Sequence, residues 1–174
     1  FTAVQWLRDN GSHGGGLRFE APQNSIFNQA SVNVSQIQYE DIPDKAFISA
    51  SALSTIIHPI HPLAPSVHIH VSWTELRSGK SYWRLMADLN PAISCEADTQ
   101  QFNDTLKKAG AAYYQQATQQ GDQYFYIPTL QTHRGVSHFY LEAFNPEDCD
   151  GGEFATQFVD AVIASYIAIL SNKL

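Results

Sequence analysis

Polar and apolar residues alternate along four stretches of the chain, and this period of two predicts β-strands. The stretches are residues 31–38, 66–73, 82–86 and 137–141. The second stretch is the most regular: one face carries Val67, Ile69, Val71 and Trp73, and the other carries Ser66, His68, His70 and Ser72. Gly79, between a serine and a lysine, predicts the turn of a hairpin.

A spacing of three to four residues predicts two helices. The first covers about residues 96–120, with Phe102 and Leu106 on its apolar stripe, and the second covers about 153–171. The glycine-rich run 11–16 resembles a linker, and residues 145–148 with the glycine pair at 151–152 predict a loop. Strands outnumber helices without a βαβ rhythm, so we expect one α+β domain over residues 1–174 with a mostly antiparallel sheet.

Composition narrows the class of protein. The 174 residues carry a net charge of −7 with 16% charged and 44% apolar residues, which excludes general electrostatic binding to nucleic acid and argues against disorder. The longest strongly apolar stretch, 161–170, is too short to span a bilayer. Cys95 and Cys149 lie far apart and outside any CxxC pair, so we expect two free thiols and a cytoplasmic protein.

Four histidines lie between positions 58 and 70, namely His58, His61, His68 and His70. The prolines that follow His58 and His61 hold both residues extended. Three interpretations are open: a solvated polar sheet face, a metal site in which His133 or His138 joins the His68–His70 pair, or a binding face for an anionic ligand.

Asp88 ends a stretch of bulky residues, where a carboxylate can cap a turn or serve a binding site. Arg134 lies in a His-Arg-Gly sequence that is typical of a turn between strands. A polyanionic ligand would be repelled by the net charge unless cationic side chains converge. The candidates are Arg8, Arg84, Arg134 and the four histidines.

An ordered series of motifs then points to a family. The motifs are Trp6-x-Arg8, the glycines 14–16, Ser31-Val32-Asn33-Val34-Ser35, residues 52–59 (ALSTIIHP), residues 62–68 (PLAPSVH), residues 87–91 (ADLNP), residues 124–127 (YFYI), Arg134-Gly135 and Ser165-Tyr166-Ile167. In this order and spacing, over essentially the whole chain, the sequence resembles the oxygen-dependent coproporphyrinogen III oxidase family.

The resemblance implies a large antiparallel sheet covered by helices on both sides, and a homodimer. It implies an enzyme of heme biosynthesis that oxidatively decarboxylates two propionates of a porphyrinogen to vinyl groups, with dioxygen as co-substrate and no metal or organic cofactor. Asp88 would hydrogen-bond pyrrole N–H groups, His58 would move a proton or bind a carboxylate, and Arg134 would hold a substrate carboxylate. The implied substrate-binding residues are Arg8, Asn33, Ser54, His68 and His70.

Some positions depart from the family pattern. The family has glycines before the aspartate, where this chain has Arg84-Leu85-Met86, and His61 replaces a family asparagine. Residues 133–138 carry histidine and serine where the family has further glycines, and the family continues beyond Leu174 with a basic, strand-rich segment. The alternative is therefore an altered or non-catalytic relative that binds a porphyrin or another planar anion.

Overall fold

A computed structural model describes residues 1–23, 26–146 and 150–174. Its main feature is a wholly antiparallel sheet of seven strands in the order β1-β2-β3-β4-β5-β6-β9. The strands of this sheet are β1 (Thr2–Leu7), β2 (Gly14–Ala21), β3 (Phe27–Gln38), β4 (Phe47–Pro59), β5 (Ser66–Leu76), β6 (Ser81–Asn90) and β9 (Ser137–Phe144). A separate small ribbon pairs β7 (Tyr126–Ile127) with β8 (Thr132–His133). The predicted α+β class and antiparallel sheet are confirmed.

The four predicted strands are all present, and all four are longer than the alternation indicated. They form parts of β3, β5, β6 and β9. Gly79 turns the β5–β6 hairpin with φ of 81°, a backbone conformation that favours glycine. Strands β1, β2 and β4 were not predicted. Three of the seven strands in the large sheet therefore lack a clear alternation of polar and apolar residues.

The linker expected at residues 11–16 is wrong in its second half. Gly14, Gly15 and Gly16 open strand β2 and pair with β1 and β3. A Cβ atom on Gly16 would collide with the carbonyl oxygen of Val34 on β3, so glycine here permits close strand pairing. The loop expected at 145–148 lies partly outside the described residues, and Cys149 lies wholly outside them. Cys95 is a free cysteine, as expected.

The first predicted helix is two helices. Helix α1 covers Glu96–Gly110 and helix α2 covers Tyr114–Tyr124, separated by a 3-10 turn. The break falls at Ala111, whose φ is 45°. Gly110 packs so close to the Phe139 ring that a Cβ would lie 2.6 Å from it. The chain therefore turns where α1 meets β9, and α2 then packs along β9.

Helix α3 covers Gly151–Ser171, two residues more than predicted. The expectation of a loop at Gly151 and Gly152 is wrong, because both residues lie in the first turn of this helix. Asp150 caps its start by accepting hydrogen bonds from the backbone N–H groups of Gly152 and Glu153, which satisfies donors that a helix start leaves free.

One face of the sheet is covered by α1 and α3. The shared core includes Phe102 and Leu106 from α1, Phe158 and Val162 from α3, and Val67, Ile69, Leu85, Ala87, Leu89, Phe139 and Leu141 from the strands. On the opposite face, within the described ranges, Met86 is covered by Phe125 from the segment that follows α2. Helices are therefore found on both faces, but unequally: α2 meets the opposite face only at β9, where Gly121 packs against His138 and Tyr124 stacks on Tyr140.

By length and composition alone, α3 could cross a membrane: it has 21 residues, and an 18-residue stretch of it has a mean hydropathy of 1.5. The helix is longer than the apolar stretch noted in the sequence. This is weak support for a membrane span, because a core helix passes the same test. Phe158, Val162 and Ile169 of α3 are buried in the core.

Candidate functional site

The predicted site residues on the strands all lie on the sheet face that is turned away from α1 and α3. Successive side chains in a strand point to opposite faces, and the core residues of β5 and β6 take the odd positions. Paired residues across the sheet bring Asn33 of β3 beside Ser54 of β4, and Ser54 beside His70 of β5. In the same way His68 pairs with Asp88 of β6. We call this the polar face.

Asp88 is fully buried, with 0% of its surface exposed. Arg134 donates from Nη2 to Oδ1 at 2.8 Å and from Nε to Oδ2 at 3.0 Å. The Asn90 side chain donates from Nδ2 to Oδ2 at 2.6 Å. Because both carboxylate oxygens are occupied by charged or polar donors, the buried charge is compensated. Asp88 is thus shielded from solvent, and Arg134 lies between the carboxylate and the solvent.

Arg134 reaches the polar face from the turn between β8 and β9. Gly135, the next residue in this turn, has a φ of 73°. The backbone N–H of Arg134 donates to the carbonyl of Phe125, and the guanidinium lies 4.6 Å from the centroid of the Phe125 ring. Its side chain remains 42% exposed. The Arg134 side chain therefore lies over β6. One side of its guanidinium bonds to Asp88, and the other side faces solvent.

His68 lies beside this pair, with Nδ1 at 3.6 Å from Oδ1 of Asp88 and 3.4 Å from Nη2 of Arg134. Burial lowers its pKa, and the Arg134 charge lowers it further, against an opposing effect of Asp88. Burial likewise lowers the pKa of His70 to about 4, with a further contribution from Arg84. Both imidazoles are therefore neutral near pH 7.

His58 lies near the end of β4 on the polar face and is exposed. Its Nδ1 is 2.9 Å from the Ser66 hydroxyl of β5. Ser66 pairs with Asn90 of the adjacent strand β6. His58, on β4, is therefore separated from β6 by β5 and does not touch Asp88. His61 lies in the turn after β4, where its Nδ1 accepts from the backbone N–H of Leu63 at 3.3 Å.

Arg8 lies at the far edge of the sheet from Asp88. It is exposed, with its guanidinium 6.0 Å from the centroid of Trp6. The Trp6 indole N–H donates to Oδ1 of Asn33 at 2.9 Å, which connects Arg8 to the polar face. No ion pair involves Arg8 within the described part of the chain, so its charge is available to a ligand.

Residues 84–86, which stand where the family has glycines, alternate between the two faces of the sheet. Leu85 is fully buried in the core. Met86 faces the polar side but is covered by Phe125 and Tyr140. Arg84 donates to both carboxylate oxygens of Glu142 at 2.7 Å and does not contact Asp88. Leu85 therefore takes up no space in front of the aspartate, because it points into the core.

Glu142 and Tyr140 complete a second polar cluster with Arg84. The Tyr140 hydroxyl donates to Oε2 of Glu142. Burial would raise the pKa of Glu142, but the hydrogen bonds from Arg84 and Tyr140 outweigh it and lower the pKa overall. Burial, with that hydrogen bond, raises the pKa of Tyr140. Glu142 is therefore an anion that neutralises Arg84.

The metal-site interpretation is wrong in its proposed ligands. Nε2 of His138 lies 2.9 Å from Oδ1 of Asp122, and Nε2 of His133 lies 3.1 Å from the Asp122 carbonyl oxygen. Strand β6 separates His138 from His68. Among the residues that the structure describes, no group of three or more His, Cys, Asp or Glu is arranged to hold a metal ion.

The part of the polar face that no other segment covers in the described structure lies on β2–β5, beside the Arg134 side chain. From β2 to β5 it measures roughly 14 Å across, at about 4.8 Å per strand. Small side chains form much of its surface: Ser31, Ser35, Ala52, Ser54 and Ser72. Such a surface can receive a flat ligand, with histidines on one side and Arg8 at the far edge.

A large cavity of the described residues is elsewhere. It measures about 880 Å³ and lies on the opposite face of the sheet, where Leu17, Val34, Leu53 and Trp73 line it. None of the predicted site residues contributes to it. Apart from the buried Asp88, the predicted residues thus lie on an exposed or half-exposed surface of the sheet.

Sequence reasoning missed Asn90, Phe125 and Trp6 as parts of this arrangement. Asn90 lies two residues after Asp88, which was a usable signal because an alternating strand places both on one face. Trp6 and Phe125 lay within the family motifs, but their contacts depend on strand pairing and on the turn after α2.

Comparison with known proteins agrees with the motif pattern. The sequence model of the family described as coproporphyrinogen III oxidase matches residues 1–174, and the chain belongs to this family. A Drosophila melanogaster protein named oxygen-dependent coproporphyrinogen-III oxidase is 28% identical over 98% of this chain and 50% of its own length.

Two further relatives have similar names. The Rickettsia akari oxygen-dependent coproporphyrinogen-III oxidase is 27% identical over 100% of this chain and 66% of its own length. The rat protein named oxygen-dependent coproporphyrinogen-III oxidase, mitochondrial, is 25% identical over 99% of this chain and 44% of its own length. The chain thus spans between less than half and about two-thirds of these relatives.

Proposed function

We propose that the protein catalyses the oxygen-dependent oxidative decarboxylation of coproporphyrinogen III. Each reacting propionate loses its carboxylate as CO₂, and the side-chain carbon attached to the pyrrole ring loses a hydrogen with two electrons, which leaves a vinyl group. Dioxygen takes the two electrons and, with two protons, becomes hydrogen peroxide. The proposed reaction uses dioxygen as co-substrate and no metal or organic cofactor.

The observation that carries this proposal is the joint position of Asp88 and Arg134 in a chain that matches the family over its whole length. A buried carboxylate is a strong acceptor for pyrrole N–H groups, since few competing water molecules reach it. Hydrogen bonding to those groups increases the electron density of the pyrrole and favours its reaction with dioxygen. Arg134 lies beside it as a bidentate donor suited to a propionate.

The other predicted residues have supporting roles in the proposal. The macrocycle lies on the small side chains of β3–β5, near Asn33 and Ser54, with neutral His68 and His70 as hydrogen-bonding partners. Arg8, whose charge is unpaired in the described residues, binds a second carboxylate across the sheet. His58 exchanges protons with solvent, because it is exposed and, within the described ranges, has Ser66 as its one hydrogen-bond partner.

We also propose a homodimer and a cytoplasmic location, as the family resemblance and the two isolated cysteines suggest. Light scattering of the purified protein tests the first, since a monomer mass at working concentration contradicts it. Fractionation of the cells that produce the protein tests the second.

Coproporphyrinogen III, prepared anaerobically, tests the reaction. On admission of air, we expect vinyl-bearing products from the wild type and loss of at least a hundredfold in rate for Asp88→Asn. Asp98→Asn is the matched control, because Asp98 is also a buried carboxylate paired with a cation, Lys173, at 3.0 Å, but lies away from the polar face. Absence of product from folded wild-type protein contradicts the proposal, and so does full activity of Asp88→Asn.

A second function is favoured by the closure of Asp88. With both oxygens engaged by Arg134 and Asn90, the polar face could bind a planar anion without turnover. Saturable binding of coproporphyrinogen III under argon, with no product in air, supports this function over the first.

A further inference from the structure

We propose that Arg134 controls access to Asp88, so that a tetrapyrrole reaches the aspartate only when one of its carboxylates draws Arg134 away. This proposal rests on the proposed function, because it takes Asp88 as the group that contacts pyrrole N–H donors. It adds a requirement to that function: the carboxylates are needed to open the site as well as to hold the ligand.

The first step of the argument is that Asp88 has no free face. It is 0% exposed, and its oxygens accept from Arg134 and Asn90. No ligand can bond to Asp88 unless one of these two donors moves.

Arg134 is the member of the pair that can move. Asn90 is part of β6 and pairs with Ser66 across the sheet. Arg134 lies outside the large sheet, in the turn between β8 and β9, next to Gly135, whose φ is 73°. A flexible four-bond side chain on a turn changes rotamer at less cost than a residue inside a hydrogen-bonded strand.

The exposed edge of Arg134 is where a carboxylate can bind first. Nε and Nη2 bond to Asp88, whereas no bond to Nη1 is present within the described residues, and 42% of the side chain is exposed. A guanidinium has five N–H donors, so a second carboxylate can bind while the first bond pair is still in place. The ligand anion then competes directly with Asp88.

Release also needs a replacement for Arg134 at the aspartate. A buried carboxylate that loses its cation is strongly destabilised unless other donors replace it. His68 is a poor substitute, because its Nδ1 lies 3.6 Å from Oδ1 of Asp88, beyond hydrogen-bond distance, and burial, which lowers its pKa, disfavours the charged ring. Pyrrole N–H groups can supply the missing donors. A ligand with both carboxylates and N–H donors therefore opens the site, whereas a ligand with only one of them does not.

A pair of matched ligands tests this proposal: coproporphyrinogen III and its tetramethyl ester, which keeps the macrocycle and its N–H groups but has no carboxylate. Binding of both is measured under argon to the wild type and to Arg134→Gln. A residue that only held propionates would weaken binding of the acid when replaced and leave the ester unaffected. Control of access predicts, in addition, that Arg134→Gln binds the ester about tenfold more tightly than the wild type.

Arg84→Gln is the control variant. Arg84 is a guanidinium on the same face with similar exposure, 40%, and it also pairs with a carboxylate, Glu142. Its replacement should leave the affinity for the ester unchanged. Because Arg134→Gln leaves a buried charge unpaired, Arg134→Lys is measured as well, and it should show a smaller gain in the same direction.

The outcomes separate the two proposals. A tighter ester complex in the folded Arg134 variants supports control of access. Unchanged or weaker ester binding in those variants overturns it, and the proposed function still stands if the wild type turns over the acid in air. Failure of the wild type both to bind and to turn over the acid overturns both proposals.

Discussion

Trp6 and Asn33 are joined by a hydrogen bond that spans the strand between them. The indole N–H of β1 donates to the Asn33 side chain of β3 at 2.9 Å, and Gly16 of β2 lies beneath the contact. A Cβ atom on Gly16 would lie 2.9 Å from the indole nitrogen and would collide with the Val34 carbonyl oxygen. The glycine therefore makes both the strand pairing and the indole position possible.

Gly16→Ala should lower the free energy of unfolding by about 2 kcal/mol, because a methyl group is forced into occupied space. The Trp6 indole N–H resonance should shift in the NMR spectrum at the same time. Gly79→Ala is the comparison: it meets no atom within 4 Å but has a φ of 81°, so it should cost only backbone strain, about 1 kcal/mol. An unmoved indole resonance in Gly16→Ala would contradict the role of Gly16.

Neighbouring residues of β6 should respond differently to truncation. Leu85 is fully buried between the sheet and the helices, so Leu85→Ala should destabilise the protein by about 3 kcal/mol. Met86 lies in a small cluster with Phe125 and Tyr140, so Met86→Ala should cost about half as much. Urea unfolding measures both; equal losses would show that the two faces of β6 are not distinct.

His70 should make the protein less stable in acid. Burial lowers its folded-state pKa to about 4, below the unfolded value of about 6.5. As the pH falls from about 6.5 to 4, the unfolded chain binds a proton that the folded protein does not, so stability falls. His70→Gln should reduce this loss by on the order of 2 kcal/mol. Parallel pH curves of wild type and variant would contradict this assignment.

His13 should have the opposite effect. Hydrogen bonding to Asp9 and Asp41 raises its pKa despite some burial, and Nδ1 of His13 lies 2.7 Å from Asp9. Because the folded pKa is the higher one, the stabilisation is present below the unfolded pKa of about 6.5 and is lost as the pH rises through the folded value.

Thermal unfolding of His13→Asn checks this effect. The midpoint should fall below that of the wild type at about pH 5.5 and approach it at about pH 8.5. A difference that is larger at the higher pH would show that the charge on His13 is not what stabilises the contact.

The sequence predicted the elements whose two faces differ in chemistry. Strand β5 was clear because its core residues alternate with histidines and serines. Strand β4 (Phe47–Pro59) was missed because small and apolar residues occur on both of its faces. Strand β2 was missed because its glycines resemble a linker until their close contact with β1 and β3 is known.

The partners within the site could not be predicted for a related reason. Asp88 and Arg134 are 46 residues apart in sequence, and the turn that joins them depends on α2. The pairing of Arg84 with Glu142 depends on an irregularity between β6 and β9, where Ala143 has a φ of 53°. Alternation alone gives the face of a residue, whereas register and turns decide which residue it meets.

Release of CO₂ from coproporphyrinogen III labelled in its propionate carboxyl groups tests the central claim most directly. Autoxidation of the ring consumes dioxygen without losing these carbons, so the label reports decarboxylation alone. We predict labelled CO₂ in air but not under argon with the wild-type protein, and none above background with Asp88→Asn. Folded wild-type protein that binds the substrate in air and releases no labelled CO₂ would contradict the account.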